Sequence, residues 1–366
     1  MPDPRLVTDL GGLTLGRAGL APAGRHTRVS DSVLAYTILP LTSLYRSHWI
    51  LYFFHPYSTH SIAMIDPSQV QELAAKAPPV VVDVGASRGI HPRWEALLPH
   101  ITVVGFEPDT RSFSQLQQTD EVRYLNTALF RDRGPKTFHL CRKPTNSSVY
   151  PPNREWLAQF PDPERFDVLE TVTVNCVTLE EALASIDIAQ MDFIKLDTQG
   201  SELDILEGAG DYLDGCIGVE VEVQFSPIYS GAALFHDVGA ILWRKGFELF
   251  DLRRIFWSRV GGLPAGQKKG QLAYGDALFF RPPGWASSQE QCLRQTTLFL
   301  AYSYADAALQ CAEADESLRR LLEQLSADDS GQPSKSLLTS LLGRWVGNQP
   351  KPPAKFKDGA LGGIPN

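Results

Sequence analysis

The feature that most constrains the fold is the stretch Val80-Val81-Val82-Asp83-Val84-Gly85-Ala86-Ser87-Arg88-Gly89. Its β-branched run is too short for an independent helix and suits a strand of a parallel sheet, buried on both faces. The glycines that follow permit a tight turn at the strand's carboxyl end. A second apolar run at 101–106 ends in Glu107-Pro108, which places an acid 22 residues beyond Gly85. Open α/β sheets bind ligands at this carboxyl edge. The bland alternative is a strand-to-helix turn that binds nothing.

An acid at the end of the second strand is suited to accept hydrogen bonds from two ribose hydroxyls. A dinucleotide pyrophosphate calls for Gly-x-Gly-x-x-Gly, so that backbone and a helix N-terminus can approach two negative charges. Here Ala86, Ser87 and Arg88 separate Gly85 from Gly89, and the middle glycine is missing. Asp83, two residues before Gly85, would lie near a ligand that carries positive charge. S-adenosyl-L-methionine, with its ammonium and sulfonium, fits that pattern better than NAD, which stays open as the alternative.

From residue 80 onward short apolar runs alternate with helical patterns, the sequence form of a doubly wound α/β domain. Strands are expected near 79–84, 101–107, 121–126, 191–197, 215–223, 246–251 and 275–281. Helices are expected near 68–77, 110–118, 179–186, 201–209 and 232–245. Two further strands, 135–141 and 170–177, read as an inserted ribbon, because the Pro-rich stretch 144–163 lies between them. A stretch of that length is expected to be a functional loop or a mobile one.

The second signal is Phe193-Ile194-Lys195-Leu196-Asp197-Thr198-Gln199-Gly200-Ser201-Glu202, a lysine inside a central strand. Alternation puts Phe193, Lys195 and Asp197 on one face. An unpaired ammonium there would cost several kcal/mol, so a partner is required. In Gly218-Val219-Glu220-Val221-Glu222-Val223 two glutamates share a face. If the strands are neighbours, Lys195, Asp197, Glu220 and Glu222 gather near their carboxyl ends, with Glu220 as the expected partner of Lys195. Lys195 and Glu220 suit a structural ion pair. Asp197 or Glu222 could serve as general base, with Lys195 orienting it. A divalent cation bridging Asp197 and Glu222 is compatible with oxygen ligands, but the spacing does not demand one and no metal is assigned. His236 is a further base candidate or a surface residue.

Composition bounds the rest. With 366 residues, 43% of them hydrophobic and 21% charged, the chain can bury a sizeable core. A net charge of −8 without a long basic run argues against nucleic acid as a partner. Cys141, Cys176, Cys216, Cys292 and Cys311 form no C-x-x-C pair, so neither a zinc cluster nor a disulfide framework is indicated. A reducing compartment, the cytoplasm, is expected, and no secretory signal is read. The apolar, aromatic segment 33–57 is broken by Pro40, Arg46 and His48. It reads as helix packing over the main domain or, alternatively, as docking to a membrane surface at the inner face.

The ordered set Val82-Asp83-Val84-Gly85-Ala86, Phe106-Glu107-Pro108, Asn126-Thr127-Ala128-Leu129, Val177-Thr178-Leu179-Glu180-Glu181, the strand from Phe193 to Asp197, Val221-Glu222-Val223, Gly246-Phe247-Glu248-Leu249 and Asp276-Ala277-Leu278-Phe279 resembles the FkbM family of S-adenosylmethionine-dependent methyltransferases. The resemblance implies a class I methyltransferase fold, a Rossmann-like, mostly parallel sheet of seven strands with the last antiparallel, and O-methylation of sugars or hydroxylated natural products. It implies that Asp83, Gly85, Ala86, Ser87 and Gly89 line the methionine moiety and that Glu107, with Pro108, holds the ribose. Asn126 and Ala128 would face the adenine, and Asp197 would close the pocket under the sulfonium. The family usually has Val-Glu-Gly-x-Glu after the lysine-to-aspartate strand, whereas here Gln199 replaces the first acid. That weakens any carboxylate role at position 199.

The expected organisation is an N-terminal helical extension (1–66), the methyltransferase domain (67–284), a C-terminal helical appendage (285–330) and a disordered tail (331–366). The appendage could pack on the sheet, cap the substrate mouth or make a homodimer. The expected activity is S-adenosylmethionine-dependent O-methylation of a sugar, glycan precursor or glycosylated metabolite. The alternatives are an N- or carboxyl-directed small-molecule methyltransferase and a catalytically silent cofactor-binding assembly subunit, which Gln199 keeps open.

Overall fold

The computed structural model describes residues 67–261, 270–313 and 316–325. The whole N-terminal extension 1–66, with its segment 33–57, and the tail 331–366 lie outside the described residues. Among the described residues ten strands follow in chain order: β1 (Val80–Val84), β2 (Thr102–Phe106), β3 (Val122–Leu125), β4 (Ala128–Leu129), β5 (Gly134–Cys141), β6 (Val168–Val177), β7 (Phe193–Leu196), β8 (Gly218–Gln224), β9 (Glu248–Trp257) and β10 (Gln271–Phe280).

Seven of them form one sheet in the order β3-β2-β1-β7-β8-β10-β9, a class I methyltransferase arrangement. Only β10 runs against both of its neighbours; β1, β2, β3, β7 and β8 pair in parallel. The chain order reverses between β1 and β7, which opens the crevice at their carboxyl ends. The expected inserted ribbon is a second, three-stranded sheet in which β6 pairs antiparallel with β5 and parallel with the short β4.

Alternation along the central strands feeds two cores. Val82, Val84, Ile194, Leu196, Val219 and Val221 face one layer, packed with Leu183, Ile205, Leu206 and Leu242 from the helices Leu179–Ala184, Glu202–Glu207 and Phe235–Arg244. The first of these begins with a reciprocal cap: Thr178 Oγ1 accepts from the Glu181 N–H and the Glu181 carboxylate accepts from the Thr178 N–H. Gly246, at φ +84°, lets the chain leave Phe235–Arg244 and enter β9.

Val81, Phe193, Leu278 and Phe280 face the other layer, together with Trp94, Leu298, Phe299 and Ala308. The C-terminal helices Gln289–Ala301 and Ala305–Glu313 therefore pack on the sheet rather than stand apart from it. Phe299 is fully buried, with ring centroids 4.9 Å from Phe280 and 5.5 Å from Phe250. Among the described residues no helix is long and apolar enough to cross a membrane.

Candidate active site

The polar cluster expected from strand alternation is present, and the register explains it. Asp83 of β1 stands opposite Lys195 of β7, which stands opposite Glu220 of β8, in one row across three neighbouring strands. Lys195 Nζ lies 3.3 Å from Asp83 Oδ1. The partner of the buried lysine is thus Asp83 and not Glu220, because β1 supplies an in-register carboxylate from the opposite side. Glu220 is held elsewhere: the Arg93 guanidinium lies 3.4 Å away and the Tyr302 hydroxyl donates to it. The Arg93 guanidinium also stacks over the Tyr302 ring, 3.7 Å from its centroid.

Burial works to depress the Lys195 ammonium, yet the carboxylates of Asp83, Asp197 and Glu220 carry it above the usual lysine range. Asp83 is 3% exposed, and burial raises its carboxyl despite Lys195. This ion pair in the cavity wall balances charge there.

Beyond this row lies a second one, in which Glu222 of β8 is opposite Asp276 of β10, itself opposite and paired with Arg253 of β9. Asp197, just past β7, is tied to β1 by its N–H donating to the Val84 carbonyl at 3.0 Å. Burial, then Asp197, Glu202 and Asp276, push the Glu222 carboxyl well above the usual carboxylate range. The Gln199 amide lies between the pair: Nε2 donates to Asp197 Oδ1 and to Glu222 Oε1, both at 2.8 Å.

The turn that presents Gln199 is built by Glu202. Its buried carboxylate accepts from the Thr198 N–H, the Thr198 hydroxyl and the Gly200 N–H at 2.9–3.1 Å. Burial pushes Glu202 up to about 7 against those hydrogen bonds. This explains the acid at the end of Thr198-Gln199-Gly200-Ser201-Glu202: it closes a turn in which Gln199 has φ +61° and Gly200 φ +119°.

The glycine loop fits a nucleoside cofactor. Gly85 has φ +88°, and a Cβ there would fall 2.0 Å from the Asp197 carbonyl oxygen, so only glycine lets the two loops meet. The N–H groups of Gly85 and Ala86 both donate to the Phe106 carbonyl, binding the loop to β2. At the end of β2, Glu107 Oε1 accepts from the Asp109 N–H at 2.8 Å, while Oε2 has no protein partner among the described residues and lines the cavity. That free oxygen on a 5% exposed carboxylate is the arrangement a ribose hydroxyl requires. Burial raises Glu107 to about 7, opposed by the Asp109 hydrogen bond.

A cavity of about 1050 Å³ joins these parts. Asp83, Gly85, Ser87, Gly89, Glu107, Pro108, Ala128, Lys195, Asp197, Glu220 and Glu222 line it. Three expected residues stand outside the lining. Ala86 turns its methyl into the core. Asn126 donates from Nδ2 to the carbonyls of Glu107 and Pro108, so it ties β3 to the β2 loop instead of facing a base. His236 is 74% exposed beside Asp237, which makes it a surface residue.

The inserted stretch 144–163 supplies part of the outer wall, with Pro144, Asn146, Ser147 and Asp162 on the cavity and Lys143, Arg165 and Phe166 flanking it there. Trp257 and Tyr274 of the antiparallel strands complete that wall. Sequence reading missed Tyr229, Arg93 and Tyr302. Only Arg93 carried a signal, as a cation close to the glycine loop.

Residues 83–249 match the family model described as the methyltransferase FkbM domain. A curated relative, the 2-O-methyltransferase NoeI of Sinorhizobium fredii, is 24% identical over 177 residues, covering 44% of this chain and 70% of that protein. Among solved structures, the magnesium protoporphyrin IX methyltransferase of Synechocystis, with bound S-adenosylmethionine, is 12% identical and has a TM-score of 0.27 over 58% of this chain and 76% of its own. The precorrin-6y C5,15-methyltransferase of Geobacter metallireducens is 9% identical, with a TM-score of 0.29 over 59% of this chain and 88% of its own. With the glycine loop, the acid at the end of β2 and the strand order in place, residues 83–249 carry the match to the methyltransferase FkbM domain, and the methyl donor is S-adenosyl-L-methionine.

Proposed function

We propose that this methyltransferase is an O-methyltransferase that acts on a hydroxyl of a sugar, glycan precursor or glycosylated metabolite. The observation that carries the reading is the Asp197–Glu222 pair on the cavity wall, beside the glycine loop and facing the outer wall of the insert. The 2-O-methyltransferase activity named for the relative NoeI supports the same choice of nucleophile.

S-adenosyl-L-methionine supplies a methyl group on a cationic sulfur, ready for in-line displacement. The protein's task is then to hold an acceptor oxygen in line and take its proton, and positioning can supply much of the rate. Asp197 is the base in this reading, since its backbone meets the glycine loop at Gly85. A base of this kind contributes roughly 10²–10⁴-fold.

The test is transfer of labelled methyl from S-adenosyl-L-methionine to a panel of sugars, oligosaccharides and glycosides. Asp197→Asn should keep S-adenosylhomocysteine binding and lose turnover by about 10²-fold or more. Label appearing only on amines or carboxylates would refute the acceptor class, and unchanged turnover in Asp197→Asn would remove Asp197 as base. The expectations of cytoplasmic location, of a membrane contact through 33–57 and of a homodimer stay proposals alongside this one.

A further inference from the structure

Gln199 is held at its backbone carbonyl and at both ends of its amide. Its backbone carbonyl accepts from the Ser148 hydroxyl at 2.8 Å, and Ser148 is fully buried in the inserted stretch. Its side-chain Oε1 lies 2.9 Å from the hydroxyl of Tyr229, a 1% exposed residue anchored in the aromatic cluster with Phe166. Its Nε2 carries two hydrogens and meets two carboxylates. The orientation follows from chemistry: carboxylate oxygens at Asp197 and Glu222 accept, so the amide nitrogen faces them and the carbonyl faces the phenol.

The backbone conformation adds to this. At φ +61° a glutamine is held in a region that suits glycine or asparagine better, and such residues persist where the surroundings over-determine them. Here a buried serine, a buried tyrosine and the Glu202-built turn do so.

Two carboxylates side by side on a cavity wall repel one another, and there are three ways to hold them together: a proton, a bridging donor or a divalent cation. The other charged groups near the pair do not bridge it. Lys195 is turned to Asp83, Arg253 to Asp276, and Glu202 is a third acid whose oxygens are taken by the Thr198–Gly200 turn. The primary amide sits where a bridging cation would have to sit.

We propose that Gln199 is a positioning residue whose amide takes the place of a divalent cation between Asp197 and Glu222, so that the acceptor site operates without one. This rests on the reading of Asp197 and Glu222 as the acceptor-side pair. The replacement of an acid by an amide at this position then marks a working site of a different electrostatic type, and not a silenced one. A glutamate at 199 would convert the trio into a hard oxygen-ligand set for Mg²⁺ or Mn²⁺.

The experiment measures Mn²⁺ affinity of the full chain by calorimetry and by loss of the free-ion spin-resonance signal, for wild type, Gln199→Glu, Gln199→Ala and the double variant Asp197→Asn/Gln199→Glu. Far-ultraviolet circular dichroism checks the fold of each. Gln199→Glu should bind Mn²⁺ at least about tenfold more tightly than wild type, and the double variant should lose that gain. Gln199→Ala, which removes the bridge and adds no charge, should also gain affinity and stands in if Gln199→Glu does not fold. Wild type binding Mn²⁺ as tightly as the folded variants would overturn the proposal, as would wild-type turnover abolished by chelator and restored by Mn²⁺. The metal readout is independent of methyl transfer. If no acceptor is methylated by any of these proteins, the functional reading fails while the affinities still decide the role of Gln199.

Discussion

Replacing Lys195 by methionine removes the cation from the Asp83–Lys195–Glu220 row while keeping an unbranched side chain one atom shorter. Glu220 would keep Arg93 and Tyr302, but Asp83 would be left 3% exposed with no counter-charge. Breaking a buried pair by removing one member costs about 3–5 kcal/mol, whereas replacing both is often neutral. Lys195 retains 19% side-chain exposure toward the cavity, so the lower end applies, about 3 kcal/mol at pH 7.

The sign with pH follows from Asp83. Its folded carboxyl already stands above the ordinary value of 3.8 because of burial, and loss of Lys195 raises it further. A carboxyl raised in the folded state binds a proton there before it does in the unfolded chain, so stability rises as pH falls through the folded value. The deficit of Lys195→Met should therefore narrow between pH 7 and pH 5. In wild type, Lys195 itself contributes fully below the unfolded lysine value of 10.5 and is lost only at higher pH. Urea unfolding at both pH values measures this, and Asp83→Asn/Lys195→Met should recover most of the loss. A Lys195→Met protein as stable as wild type at pH 7 would refute the pairing argument.

Two further expectations concern the appendage and the ribose acid. Phe299→Ala empties a site between Phe250 and Phe280 and should cost about 3–5 kcal/mol in chemical unfolding, because the C-terminal helix is part of the core; a loss under about 1 kcal/mol would place it outside. Glu107, raised by burial to about 7, must be ionised to accept two ribose hydroxyls, so S-adenosylhomocysteine affinity should weaken by about tenfold from pH 8 to pH 6. A flat profile over that range would exclude Glu107 as the titrating ribose ligand.

Much of the fold was legible because the chemistry is local. β-branched runs alternating with helical patterns set the element order. The two-period of β7 and β8 was enough to gather Lys195, Asp197, Glu220 and Glu222 on one face. What remained hidden needed register between distant segments. Asp83 is 112 residues from Lys195, and only the pairing of β1 with β7 makes it the partner. Asn126 shows the same limit, since an amide at a strand end can face a ligand or fasten a neighbouring loop, and nothing local distinguishes them. Tyr302 and Tyr229 reach the site from a helix end and a loop packed by tertiary contacts. Gln199 read as a weakened acid because the sequence cannot show the two carboxylates that its amide joins.

The central claim is that the loop from Gly85 to Gly89, with Glu107, holds a methyl donor. Titration calorimetry of wild type and Glu107→Ala with S-adenosylhomocysteine and with NADH tests it most directly. Wild type should bind S-adenosylhomocysteine, Glu107→Ala should bind it at least about tenfold more weakly, and neither should bind NADH. Binding of NADH alone, or S-adenosylhomocysteine bound equally by both proteins, would contradict it.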